Sequence, residues 1–101
     1  MAVKEWSDAE KGVEVRSTLG NQCKILYSGL LSKSGADCIF LHYGFGSPEN
    51  WHSIQTMQMD RGSSGWEKGI DLNDNTVIFC FKDSADHWDN NNGYNWVAGT
   101  W

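Results

Sequence analysis

Apolar and polar residues alternate over short stretches of this chain, and glycine, proline, asparagine and serine separate the stretches. A period of two broken by turn residues is the pattern of half-buried strands. It predicts strands over 13–16, 24–27, 38–43, 56–59, 66–72, 76–82 and 95–98. No apolar period of 3.6 residues persists over ten positions, so helix signals are weak. Seven strands in about 100 residues indicate an all-β fold, an immunoglobulin-like β-sandwich of about seven antiparallel strands. No internal repeat or low-complexity linker divides the 101 residues, which read as one domain.

Alternation also assigns faces. In 38–43, Ile39, Leu41 and Tyr43 form the core face, while Cys38, Phe40 and His42 point the other way. In 76–82, Val77, Phe79 and Phe81 read as core, and Ile78, Cys80 and Lys82 as outward. His42 and Lys82 therefore stand on outer faces near the ends of their strands. The loop after the first strand carries Trp51, and the loop after the second carries Trp88. If the two strands are near neighbours running in the same direction, His42, Trp51, Lys82 and Trp88 converge on one patch.

Composition narrows the partner. Eight Lys and Arg against 13 Asp and Glu give a formal charge of −5, with no basic stripe. A phosphate backbone is repelled, so neither nucleic acid nor an anionic membrane is an expected partner. No apolar run is long enough to span a bilayer. Cys23, Cys38 and Cys80 include no CxxC, and their odd number fits a reducing compartment; one bridge plus a free thiol is the alternative. The polar stretch 1–12 does not read as a signal peptide. The expected location is cytoplasmic for a complete chain and extracellular for a module excised from a secreted enzyme.

Six tryptophans exceed what a core of this size needs. Trp66 and Trp96 read as core. Trp6 and Trp101 lie near the termini and say little. Trp51, in a Gly- and Pro-punctuated loop, reads equally as a plug over the core or as an exposed contact. Trp88 has only polar or small neighbours, which favours exposure. His42 reads evenly as a structural histidine or a ligand contact. Indole faces edged by asparagine amides suit an uncharged, polyhydroxylated ligand, with Lys82, Asn90 and Asn92 supplying hydrogen bonds. Asp83, Asp86 and Asp89 sit within seven residues of one loop. Glycoside hydrolysis needs two carboxyl groups flanking the sugar, so no enzyme is expected. The oxygen-rich run 89–93 hints at calcium but lacks the EF-hand spacing and its distal glutamate. Turn formation is the better reading, with no metal and no cofactor. A β-sandwich protein-interaction module using exposed aromatics is the competing class.

Four segments, in order, resemble the starch-binding carbohydrate-binding modules of family 25, with related features in families 26 and 53. They are Ser28-Gly29-Leu30-Leu31, the stretch Gly35-Ala36-Asp37-Cys38-Ile39-Phe40-Leu41-His42-Tyr43-Gly44, then Phe79-Cys80-Phe81-Lys82-Asp83, then Trp88-Asp89-Asn90-Asn91-Asn92-Gly93-Tyr94-Asn95-Trp96. The likeness runs from about residue 12 to 97. It implies a non-catalytic β-sandwich that binds α-1,4-linked glucans such as starch, glycogen and maltooligosaccharides on a shallow platform. The platform's histidine falls on His42 and its two tryptophans on Trp51 and Trp88. The implied partner is an α-glucan and, where the module sits in a longer chain, an amylolytic enzyme domain.

Overall fold

The computed structural model describes residues 2–63 and 65–100; Met1, Ser64 and Trp101 lie outside the described residues, and so does any reading of the Trp101 ring. The strands are β1 (Trp6–Asp8), β2 (Val13–Ser17), β3 (Gln22–Tyr27), β4 (Ile39–Ser47), β5 (Asn50–Gln58), β6 (Asp60–Gly62), β7 (Gly65–Asp71), β8 (Thr76–Asp83), β9 (Trp88–Asp89) and β10 (Trp96–Gly99), with a short helix α1 (Leu30–Lys33) between β3 and β4. All seven expected strands form. The additional β1, β6 and β9 are two or three residues long, too short to show a period.

One sheet has the order β1-β2-β3-β7-β6; the other has the order β10-β8-β4-β5, with β9 also pairing β8. The fold is thus the β-sandwich that the alternation predicts. Val13, Val15, Ile25 and Tyr27 from the first sheet meet Ile39, Leu41, Phe79 and Phe81 from the second in one buried cluster. Tyr27 and Phe81 stack across the interface with centroids 4.1 Å apart. Burying each such side chain contributes about 1.5–3 kcal/mol, and a paired ring adds about 0.5–1.5 kcal/mol. Trp66 and Trp96 are core residues, each 5% exposed.

Two expectations need correction. First, β4 and β8 are neighbours but run antiparallel, with Leu41 opposite Phe81 and His42 opposite Cys80. After β5 the chain crosses to the first sheet for β6 and β7 and comes back into β8 beside β4, where adjacent strands alternate in direction. Second, Ile78 and Cys80 face away from the sandwich core yet are buried, at 0% and 4% exposure. They belong to a second, thin apolar layer on the outer face, outside the main cluster.

The edge of β8 shapes what lies above that layer. Asp89 of β9 is opposite Phe81, whereas Trp96 of β10 is opposite Phe79. Residues 90–95 therefore loop out opposite Cys80 alone. Asparagines close the loop. Asn90 O accepts the N–H of Gly93 and of Asn95, Asn90 Oδ1 also accepts from Gly93, and Asn91 Nδ2 donates to Asn95 O. Asn91, Asn92 and Asn95 all have φ of 57°, a left-handed conformation that asparagine tolerates better than other non-glycine residues.

Candidate functional site

The outer face of β4 carries Phe40, His42 and Gly44; Gly44 is left bare by its lack of a side chain. Trp51 fills that space. β4 continues to Ser47 and turns directly into β5, so Trp51 is a strand residue paired with Gly46 rather than a loop residue. One extra residue enters β5 between the partners of Tyr43 and Phe45, and Ser53 there takes φ of 54°. This bulge bends the strand. The indole lies over Gly44: a Cβ at that position would stand 3.1 Å from Trp51 Cε3 and 3.1 Å from Ile54 Cγ1. Trp51 Nε1 donates to Pro48 O at 3.0 Å, which fixes the tilt of the ring.

Trp88 arrives from the opposite side. The turn after β8 is stapled by Asp83, whose Oδ1 accepts the backbone N–H of Ala85 and His87 and whose Oδ2 lies 2.9 Å from His87 Nδ1. Burial opposes the charge on Asp83, but these hydrogen bonds outweigh it and hold the carboxyl below its ordinary value. The staple reverses the chain into β9 and sets Trp88 directly opposite Lys82. The next residue, Asp89, faces inward, where its Oδ2 accepts from the Tyr27 hydroxyl at 2.6 Å.

The two indoles meet at His42. Trp51 lies 5.8 Å from the imidazole centroid at 35°, and Trp88 lies 5.4 Å from it at 85°. Those angles require the two indole planes to be inclined by at least 85° less 35°, or 50°. Trp88 is 46% exposed, while Trp51 and His42 are half-buried. His42 Nδ1 lies 2.7 Å from Thr56 Oγ1 on β5. Burial, and then the nearby Lys82 ammonium, hold the imidazole below its usual pKa, so it is neutral at pH 7. Lys82 Nζ pairs with Asp86 at 2.7 Å and lies 5.4 Å from the Trp88 ring and 5.9 Å from the Phe40 ring. Its charge is compensated and its stem covers apolar surface. The Cys80 thiol, opposite His42 in the register, is pushed up to about 12 by burial and by Asp89, and stays protonated.

Of the residues singled out in the sequence, His42, Trp51, Lys82 and Trp88 come together. Asn90 and Asn92 are exposed in the adjoining turn, and the described bonds of Asn90 close that turn. The three aspartates have separate partners: Asp83 holds the turn, Asp86 pairs with Lys82 and Asp89 accepts from Tyr27. Among the described residues no three His, Cys, Asp or Glu side chains gather around a common metal position. Phe40 and Thr56 were missed. Alternation had already put Phe40 on the outer face. Thr56 sits in a polar strand whose register no sequence signal fixed. A groove of about 380 Å³ lies elsewhere, on the first sheet, and Asp8, Glu14 and Glu67 are among the residues that line it.

The sequence profile of one protein family, a starch/carbohydrate-binding module (family 53), matches residues 23–81, more than half of the chain. It is one of the two relatives named above beside family 25. The matched segment includes His42 and Trp51; Lys82, Trp88, Asn90 and Asn92 follow it. No curated protein and no solved structure matches the chain.

Proposed function

Because the chain belongs to the starch/carbohydrate-binding modules of family 53, we propose that it binds α-1,4-linked glucans, without cleaving them, on the outer face of its second sheet. His42, Trp51 and Trp88 form the platform, and Lys82, Asn90 and Asn92 supply hydrogen bonds at its rim. The carrying observation is the tilt of at least 50° between two indoles that share one imidazole neighbour (85° less 35°). The α-1,4 linkage turns each glucose relative to the last, so a curling chain meets inclined rings, whereas a flat β-1,4 chain meets coplanar ones. The resemblance to family 25 points to the same ligand class.

Each stacked sugar removes roughly 80 Å² of apolar area from water, which stabilises the complex by about 2 kcal/mol. Neutral hydrogen bonds add about 1 kcal/mol each after water is displaced. Less the cost of association, these terms give a Kd of roughly 10–500 µM. A site of this strength gains from repeated engagement along a polymer.

Electrophoresis through gels with and without glycogen, followed by calorimetry with maltoheptaose and cellohexaose, tests the reading. Retardation by glycogen and heat from maltoheptaose alone are expected. Unchanged mobility would turn attention to a polypeptide partner for the exposed rings, and equal binding of both oligosaccharides would remove the argument from tilt.

A further inference from the structure

His42 is a polar ring between two indoles, so the atom it offers decides what it can recognise. Thr56 Oγ1 stands 2.7 Å from its Nδ1. The two residues are direct partners across β4 and β5 and project from the same outer face. A β-branched side chain is stiff at χ1, so the hydroxyl is held in place beside the ring. With Nδ1 engaged, Nε2 is the nitrogen left for a ligand.

Building on the glucan-binding reading, we propose that Thr56 is a positioning residue that sets the tautomer and the ring orientation of His42. The Thr56 hydroxyl donates to Nδ1, the imidazole proton resides on Nε2, and Nε2–H donates to a sugar hydroxyl oxygen. A half-turn of the ring would bring a carbon against Thr56 and lose that bond. The flanking indoles, one tilted and one edge-on, limit such a turn. The surroundings are compatible with that state. Burial and Lys82 keep the imidazole neutral, so one ring nitrogen carries a lone pair, and the assignment places it on Nδ1 facing Thr56. Lys82 itself stays charged and is held by Asp86, so the neutral donor offered to the ligand is His42. A threonine hydroxyl can donate or accept, so the 2.7 Å contact fixes the ring orientation, and the position of the proton is what the NMR experiment reads.

The test uses the whole chain, with Thr56→Val removing the hydroxyl at nearly constant shape and Thr56→Ser retaining it. Maltoheptaose binding is measured by calorimetry, and the His42 ring nitrogens are followed by ¹⁵N NMR. Thr56→Val is expected to bind about fivefold more weakly, the loss of one oriented neutral hydrogen bond. Its His42 nitrogen shifts should move from a single Nε2–H pattern toward averaged tautomers, with Thr56→Ser restoring both readouts. Wild-type affinity in Thr56→Val, equal loss in both variants, or an Nδ1–H pattern in the wild type would each overturn the assignment. If His42→Ala abolishes binding while Thr56→Val does not alter it, the platform stands and only the role of Thr56 is lost. A wild type that binds no maltoheptaose removes the glucan reading and this inference with it.

Discussion

The two faces of the second sheet carry similar rings in different company. On the inner face Phe79 and Phe81 of β8 are fully buried, and the first sheet supplies a partner for them: Tyr27 stacks on Phe81 and Trp6 on Phe79. On the outer face, among the described residues, no second sheet lies above Ile78 and Cys80. Their burial sits beside a single layer of half-exposed side chains, among them Trp51, His42 and Trp88. An aromatic facing another sheet is a core residue. An aromatic that is itself the last layer remains open to a ligand. The difference lies in what stands opposite the ring, not in the residue type.

The strongest way to break this contrast is to delete a ring from the inner face. Phe81→Ala should cost about 3–5 kcal/mol of stability in denaturant unfolding, through lost transfer energy and an unfilled cavity. A loss under about 1 kcal/mol would mean that the inner face is no better packed than the outer one. Neighbouring residues of β9 sharpen the contrast further, because Asp89 faces in and Trp88 faces out. Asp89→Ala leaves the Tyr27 O–H without its acceptor, while the oxygen still accepts from Leu31 N–H, and should cost about 1–3 kcal/mol of stability. Trp88→Ala should leave the unfolding midpoint nearly unchanged and weaken maltoheptaose binding by about tenfold or more, roughly 1.4 kcal/mol. Stability loss from Trp88→Ala with unchanged binding would reverse the assignment of that face.

The inner face was largely legible in the sequence, and the outer face only in part. Val77, Phe79 and Phe81 fall at every second position, as a sheet packed on a sheet demands, although Ile78 and Cys80 between them are apolar and buried as well. Ile39, Leu41 and Tyr43 do the same. β5 is harder to read. Its polar stretch His52-Ser53-Ile54-Gln55-Thr56 has little contrast between faces, and the bulge at Ser53 shifts the phase midway. Gly44 and Gly46 look like loop punctuation in the sequence, yet they are strand positions whose missing side chains make room for neighbouring rings. The direction of β8 beside β4 is a long-range pairing that no local pattern encodes. His42 and Trp88 could still be named, since their outward register and polar surroundings are local properties.

Gly44 offers a finer probe, because it belongs to the outer face alone. Gly44→Ala keeps an allowed backbone conformation but places a methyl 3.1 Å from Trp51 Cε3 and 3.1 Å from Ile54 Cγ1. The indole must yield by a few tenths of an ångström. We expect about threefold weaker maltoheptaose binding, in line with mild overpacking at a half-open site, and little change in the inner-face rings. Calorimetry beside a ring-proton NMR spectrum reads both. Displaced Phe79 and Phe81 signals would show that the two faces are mechanically coupled rather than separate.

The smallest effect concerns protons. In the unfolded chain His42 titrates near its ordinary 6.5, and in the fold burial and Lys82 hold it lower. Between those two values the unfolded state binds more protons, so stability rises with pH through the interval. The His42 contribution is complete above 6.5 and declines as the pH falls toward the folded value, below which it declines no further. The depressed carboxyls of Asp74 and Asp83 act elsewhere: their contributions hold above the ordinary 3.8 and are lost only as the pH falls below it. Acidification from pH 7 to 5 should therefore lower the melting temperature slightly and weaken glucan binding, because a protonated Nδ1 no longer accepts from Thr56. His42→Gln, which does not titrate, should flatten both trends. Identical slopes in wild type and His42→Gln would mean that the imidazole is solvated in the fold as it is in the unfolded chain. The outer aromatic layer would then be too thin to exclude water, and a stacked sugar would find less apolar surface there than the ring geometry offers.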